Sequence, residues 1–330
     1  MSAEPPAAPD PVSEDPIGVR YPNTARIWNY QLGGKDNFAV DREASDAANA
    51  MVSGLGVPAG ADTAVESRHL LQRMVDYMVG QGIRQFLDLG SGLPNMANTH
   101  QIAHRAAPGA RIVYADIDPM VSTHAAALMA GAGVVTLRAD LREPEQVLGD
   151  ARVRDLLDFG QPIGIMFMCV LHCLWDSEDP WQVVRQFRDA VVPGSYLALS
   201  HMTGEAHPEA AEGLFRMTQE LHWNTPLISR NRTEIALLRR VHAGGARPGG
   251  ARAVAARAGQ PAPPAPRARW RRRTRAQADR PRAGRTRSRG RLASVRDRRQ
   301  GRARGRTLSR AQPPATSLRR AWAAWAFCSA

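Results

Sequence analysis

From residue 85 to residue 200 the chain alternates short apolar runs with stretches of helical period. The runs Gln85–Leu89, Arg111–Ala115, Val134–Leu137, Ile163–Leu171 and Ser195–Ser200 predict strands, and residues 95–106, 119–130, 143–157 and 180–191 predict helices. In the last of these helices Trp181, Val184, Phe187 and Val191 share a face, and Pro180 suits a first turn. The strand runs are too uniformly apolar for a sheet with one wet face, so both faces must be covered. Parallel strands joined by crossover helices meet that requirement. The expectation is a doubly wound, mostly parallel α/β sheet.

Outside this stretch the pattern changes. Residues 1–20 are rich in Pro, Ala and acids and predict a disordered N-terminus. Residues 21–84 predict a helical lid region, with Leu70, Leu71, Met74, Val75 and Met78 at helical spacing. A further helix is expected over 206–222, with Ala211, Leu214, Phe215, Thr218 and Leu221 inward, and Asn231-Arg-Thr-Glu234 reads as a capping box. The α/β domain is then 85–238. The chain has three cysteines, too few for a disulfide framework; its apolar runs are too short for a membrane span, and residues 1–16 do not form a signal peptide. A cytoplasmic protein is expected.

Residues 239–330 follow different rules. They hold 26 arginines, no lysine and two acids, Asp279 and Asp297, for a net +24. Residues 1–238 therefore carry −11, and the whole-chain +13 describes neither part. A low-complexity, disordered tail is expected, which would bind polyanions by charge alone and without sequence readout. Arg, Ala, Gly and Pro dominate the tail, and these are the residues encoded by CGN, GCN, GGN and CCN, codons that begin with two G or C bases. Out-of-frame translation of a GC-rich gene gives that composition. Codons permitted for Leu238 to Gly250, read one base later, can spell FDGYTLVEPGLV, a strand-like run. Our hypothesis is a frame shift near codon 237, which would deprive the sheet of its final strands; resequencing that shows one intact frame ends it.

The residues that carry chemistry gather at Phe86-Leu-Asp-Leu-Gly-Ser-Gly-Leu-Pro94. A strand containing Asp88 runs into the turn Gly90-Ser91-Gly92, with Pro94 near the start of the helix expected next. Glycines let backbone approach a ligand, and a helix N-terminus offers free N–H groups. A dinucleotide fingerprint would need a third glycine where Asn95 stands. An acid directly before the glycines suits a cationic amino group better than a pyrophosphate. Tyr114-Ala-Asp-Ile-Asp118 ends the next strand and puts Asp116 24 residues after Gly92, where a carboxylate accepts ribose hydroxyls. Ile117 is placed to lie on an adenine ring, and Asp140, in Arg138-Ala-Asp-Leu-Arg142, to accept from its amino group. Each acid also has a plain structural reading, as a cap (Asp88, Asp116, Asp118) or a loop acid (Asp140). Together they fit an adenosine joined to an amino-acid end.

Ala25-Arg-Ile-Trp-Asn-Tyr-Gln-Leu-Gly-Gly-Lys-Asp-Asn-Phe38 resembles the N-terminal signature of an actinobacterial family of S-adenosylmethionine-dependent methyltransferases of unassigned substrate. Phe86–Pro94, Tyr114–Pro119, Ala139–Arg142, Val170-Leu-His172 and Pro193-Gly-Ser-Tyr-Leu197 match that family as well. The resemblance covers about residues 21–237 and leaves out the tail. It implies S-adenosylmethionine as cofactor, with Asp88, Gly90 and Gly92, and Ser91 between them, at the methionine end. Asp116 would hold the ribose, and Asp140 with Leu141 the adenine. The implied partner is a small-molecule methyl acceptor.

Lys35, the only lysine in the chain, lies in Gly33-Gly-Lys-Asp-Asn37, which lacks full phosphate-loop spacing. The expectation is a lid with Tyr30, Lys35 and Asn37 facing the ligand; a structural turn between helices is the alternative. His172, at the end of the fourth strand, is the best candidate for a base, and His201 the second, although both also read as core histidines. A strand would splay Cys169, His172 and Cys173, so no metal is expected. Two other functions stand beside the methyltransferase at this point: a nicotinamide-dependent oxidoreductase on a similar fold, and a non-catalytic nucleic-acid-associated protein using the tail.

Overall fold

The structure, a computed structural model, describes residues 19–94, 97–128, 133–238 and 252–253. Strands form where the apolar runs predict them: β1 (Gln85–Leu89), β2 (Arg111–Asp116), β3 (Val134–Arg138), β4 (Gly164–Met168) and β5 (Tyr196–Ser200). All pair in parallel, in the order β3-β2-β1-β4-β5, and a two-residue strand β6 (Arg252–Ala253) lies beside β5. The helices are α1 (Thr24–Gln31), α2 (Ala39–Ser53), α3 (Gly60–Gly80), α4 (Thr99–Ala106), α5 (Pro119–Leu128), α6 (Glu145–Leu148), α7 (Ala151–Leu156), α8 (Pro180–Asp189), α9 (Pro208–Glu220) and α10 (Arg232–Leu238).

Both sheet faces are buried, as their composition requires. Phe86, Ile112, Tyr114 and Met166 pack against α3 and α4. Leu87, Val113, Ile165 and Phe167 pack against α8 and α10 on the other side. Each such side chain contributes about 1.5–3 kcal/mol by leaving water. The chain winds from β1 out to β3, then returns to place β4 on the other side of β1. That reversal opens a crevice beyond the carboxyl ends of β1 and β4, where ligands of such sheets bind. Above the crevice α2 and α9 share a small core of Ala48, Val52, Ala210 and Leu214.

Several boundaries differ from the sequence expectation. β4 ends at Met168 because Cys169 takes a left-handed φ of 56°, which turns the chain into a single 3-10 turn at Leu171–Cys173. The helix expected from residue 95 starts at Thr99, where Asn98 and Gln101 form the capping box. Residues 143–157 form two short helices, with Asp150 capping the second. In α9 the buried positions are Ala210, Leu214 and Thr218, while Leu221 is exposed. Of the expected lid region, α3 belongs largely to the sheet layer through Met74, Val75 and Met78. The capping box at Asn231 forms in both directions, Asn231 N to Glu234 and Glu234 N to Asn231, at 2.8 and 2.9 Å. The expected disordered N-terminus lies outside the described residues. So does the tail, except at Arg252–Ala253, which pair with Tyr196 and Leu197 of β5. No described helix is long and apolar enough to cross a membrane.

Candidate active site

In the β1–β2 register Asp88 sits opposite Tyr114, so Asp116, two residues on, projects from the same face. The turn between them holds Gly90 and Gly92 at φ 69° and 66°. A Cβ at Gly90 would run into the Val170 side chain beyond β4, so the crevice closes at that point only over a glycine. At Gly92 a Cβ would meet nothing, and the left-handed backbone is what calls for glycine there. Gly92 N donates to Asp116 Oδ2 at 2.8 Å, and Asp118 N donates to Asp116 Oδ1 at 3.0 Å. The carboxylate thus ties the glycine turn to the tip of β2. Burial pushes its pKa up to about 6, against the pull of these two backbone hydrogen bonds.

Asp88 is also buried and accepts from Thr99 Oγ1 at 2.6 Å. Burial raises its pKa, with the Thr99 bond and the Arg68 charge working against it. Arg68, on α3, is the counter-charge, its own pKa lowered by burial and supported by Asp88. The expected helix N-terminus does not point into the glycine turn, because α4 begins later and its first residue, Thr99, is spent on Asp88. Asp118 caps α5 through Met120 N at 2.7 Å with one oxygen, as its plain reading has it. Asp140 receives Arg142 through N, Nε and Nη2, and Arg142 also reaches Glu178 at 2.6 Å. Ile117 is 44% exposed, an unusual state for isoleucine, and Leu141 is buried.

All of these residues line one cavity of about 810 Å³: Asp88, the Gly90–Gly92 turn, Asp116 to Asp118, and Asp140 to Arg142. Tyr30, Lys35 and Asn37 are not among the residues that line it. Tyr30 donates to Asp46, Asn37 donates to Asn29 Oδ1 and Gly34 O, and Lys35 is exposed. Asn29 is the buried hub of that turn, and a Cβ on Gly34 would collide with it. The Arg26–Asp41 ion pair, buried at 2.9 Å, braces the same helices. Polar residues of the signature therefore build the turn. Their neighbours Thr24, Ile27, Trp28 and Gln31 line the cavity instead.

His172 lines the cavity from the 3-10 turn rather than from the strand. Burial, then His201 and Arg230, hold its pKa well below the usual range, so the ring is neutral at pH 7. His201 stacks edge-on to it at 5.5 Å and is pushed down to about 4, first by burial. Arg230 Nη1 lies 2.9 Å from His201 Nε2, and a guanidinium only donates, so the His201 proton is on Nδ1, donated to Met202 O at 2.7 Å. Arg230 also bonds Leu171 O and Leu174 O, which fixes the turn that carries His172. Sequence reasoning missed Arg68 and the loop residues Trp223 to Leu227, which complete the lining.

The chain matches the model of a family described as S-adenosyl methyltransferase over residues 11–244. The chain belongs to that family. The methyltransferase is also similar to two solved structures. A candidate methyltransferase from Thermobifida fusca YX is 39% identical, with 69% of this chain and 83% of that one covered at a TM-score of 0.62. A DUF574-family protein from Streptomyces avermitilis is 32% identical, with 67% and 84% covered at a TM-score of 0.63. No curated protein matches. These similarities favour neither the nicotinamide-dependent nor the nucleic-acid alternative.

The methyltransferase uses S-adenosylmethionine, and the cavity's chemistry fits that group. Five buried side-chain polar atoms have no hydrogen-bond partner among the described residues: Arg68 Nε, Ser91 Oγ, Asp118 Oδ2, His172 Nδ1 and Trp223 Nε1. All five residues line this one cavity. Buried polar groups are otherwise satisfied in folded proteins, so such a concentration marks a place built for a polar ligand.

Proposed function

We propose that the chain transfers a methyl group from S-adenosylmethionine to a small molecule within this cavity. The observation that carries the reading is that Asp88 and Asp116, on the tips of adjacent strands and the same sheet face, share one cavity across a glycine turn. S-adenosylmethionine supplies an electrophilic methyl on a sulfonium, and the protein's task is to hold and align it. Asp88 accepts from the amino group, and Arg68 receives the carboxylate, which uses its unpartnered Nε. Gly90, Ser91 and Gly92 bring backbone and one hydroxyl to the methionine end. Asp116 accepts from the ribose hydroxyls. Ile117 and Leu141 cover the adenine, and Asp140 takes its amino group on the lone pairs that Arg142 leaves.

His172, neutral and with Nδ1 unpartnered, is the residue that would accept a proton from a hydroxyl acceptor. An acceptor of low proton affinity needs no such help. The free thiols Cys169 and Cys173 fit a reducing cytoplasm. Calorimetric titration of the full chain with S-adenosylhomocysteine and with NAD tests the reading. Binding of the first and not the second is expected, and the reverse order would overturn it.

A further inference from the structure

The cavity divides sharply by charge. Its ionised side chains come from the strand tips, from Arg68 on α3 and from Glu178 beside Arg142. The opposite half is built by α1, α2, the first turn of α3, α9 and residues 223–227, and among the described residues it contributes no charged side chain to the lining. Its apolar surface comes from Trp28, Val52, Leu214, Trp223 and Leu227, and Trp175 stands at its border with the charged side, its N donating to Glu178 at 2.8 Å. Trp175 is held edge-on to Phe215 at 5.8 Å.

From this we infer that the methyl acceptor is an uncharged, flat aromatic compound carrying an oxygen hydrogen-bond acceptor, bound in that neutral, tryptophan-lined half. The inference deepens the methyltransfer reading and rests on it. A carboxylate or phosphate there would leave water without gaining a counter-ion, which costs several kcal/mol. The cavity's arginines are engaged elsewhere: Arg142 by Asp140 and Glu178, Arg138 by Ile117 O at 3.3 Å, and Arg68, in the methyltransfer reading, by the cofactor's carboxylate. An ammonium would find no carboxylate there, and the about 0.5–2 kcal/mol that an indole face offers a cation is less than the several kcal/mol its desolvation costs. Indole faces and edges favour flat π-systems. Trp223 Nε1 is a donor only, buried and unpartnered, so it calls for an acceptor atom on the ligand.

This half is held in place by bonds between distant segments. Thr24 N donates to Asn224 Oδ1 at 2.8 Å, the Thr24 and Thr225 hydroxyls meet at 2.7 Å, and Asn224 N donates to Pro22 O at 3.0 Å. A largely preformed pocket of this kind selects by shape and desolvation.

The test uses the full chain saturated with S-adenosylhomocysteine at pH 7, titrated calorimetrically with 2-naphthol and with 2-naphthoate. Saturable binding of 2-naphthol is expected, with 2-naphthoate at least tenfold weaker. Trp223→Phe should weaken 2-naphthol about threefold to tenfold and leave naphthalene unchanged. Leu227→Lys, in a half-buried loop position, should weaken 2-naphthol and naphthalene and leave S-adenosylhomocysteine affinity unchanged. If S-adenosylhomocysteine binds but 2-naphthoate matches or exceeds 2-naphthol, the acceptor class alone is overturned. The same holds if 2-naphthol does not bind, or if both variants leave its affinity untouched. If S-adenosylhomocysteine itself fails to bind the wild-type chain, the methyltransfer reading falls and this inference with it.

Discussion

Replacing Asp116 with alanine should separate ligand binding from stability. In the folded chain this carboxylate accepts from Gly92 N and Asp118 N, and its removal leaves two N–H groups without an acceptor, at roughly 1–3 kcal/mol each. Working the other way, burial has moved its pKa from 3.8 to about 6, which penalises the ionised form by about 3 kcal/mol at pH 7. The two effects oppose each other and leave between about 1 kcal/mol gained and about 3 kcal/mol lost at pH 7, so the melting temperature should shift by no more than about 12 degrees. Ligand affinity has no such offset. Loss of a charged acceptor for the ribose hydroxyls should weaken S-adenosylhomocysteine by about 1.5–3 kcal/mol, roughly tenfold to 150-fold in Kd. The raised pKa also sets a pH signature, because the folded state holds this proton more tightly than the unfolded chain does. Wild type should therefore gain stability over the variant as pH falls from 7 through 6 towards 4. Calorimetric titration and thermal scanning on one preparation read all three effects. Unchanged affinity for S-adenosylhomocysteine in Asp116→Ala would refute the ribose assignment.

Arg68→Met should weaken S-adenosylhomocysteine at least tenfold and leave adenosine, which has no carboxylate, unaffected; equal losses for both ligands would remove the carboxylate role. Gly90→Ala meets both a left-handed φ and the Val170 side chain, and should destabilise the fold by about 2–4 kcal/mol in denaturant unfolding. Affinity for S-adenosylhomocysteine should fall as pH drops below about 6, where Asp116 takes up its proton. The decline should approach tenfold per pH unit, with no inflection near 6.5, since His172 and His201 both titrate well below that value.

How far the sequence could carry this account depends on the range of each contact. The five parallel strands were legible because an apolar run covered on both faces has few other solutions. The acids at their tips were legible because spacing along a strand fixes which face a side chain takes. The end of β4 was not, since no periodicity announces the left-handed Cys169. Arg68 was hidden among apolar neighbours on α3, although its place on the same stripe as Ala64 and Leu71 is a usable signal. Tyr30, Lys35 and Asn37 drew attention by residue type, whereas the turn they form is organised around Asn29. The 223–227 loop reaches the cavity through bonds to Pro22 and Thr24, about two hundred residues away in sequence, and local patterns carry no trace of that.

A crystal structure of the full chain with S-adenosylhomocysteine would bear most directly on the convergence of strand-tip acids on one adenosyl ligand. The account predicts the homocysteine amino group at Asp88 and the ribose hydroxyls at Asp116, with the purine between Ile117 and Leu141. Density for the ligand elsewhere, or a ribose turned away from Asp116, would contradict it.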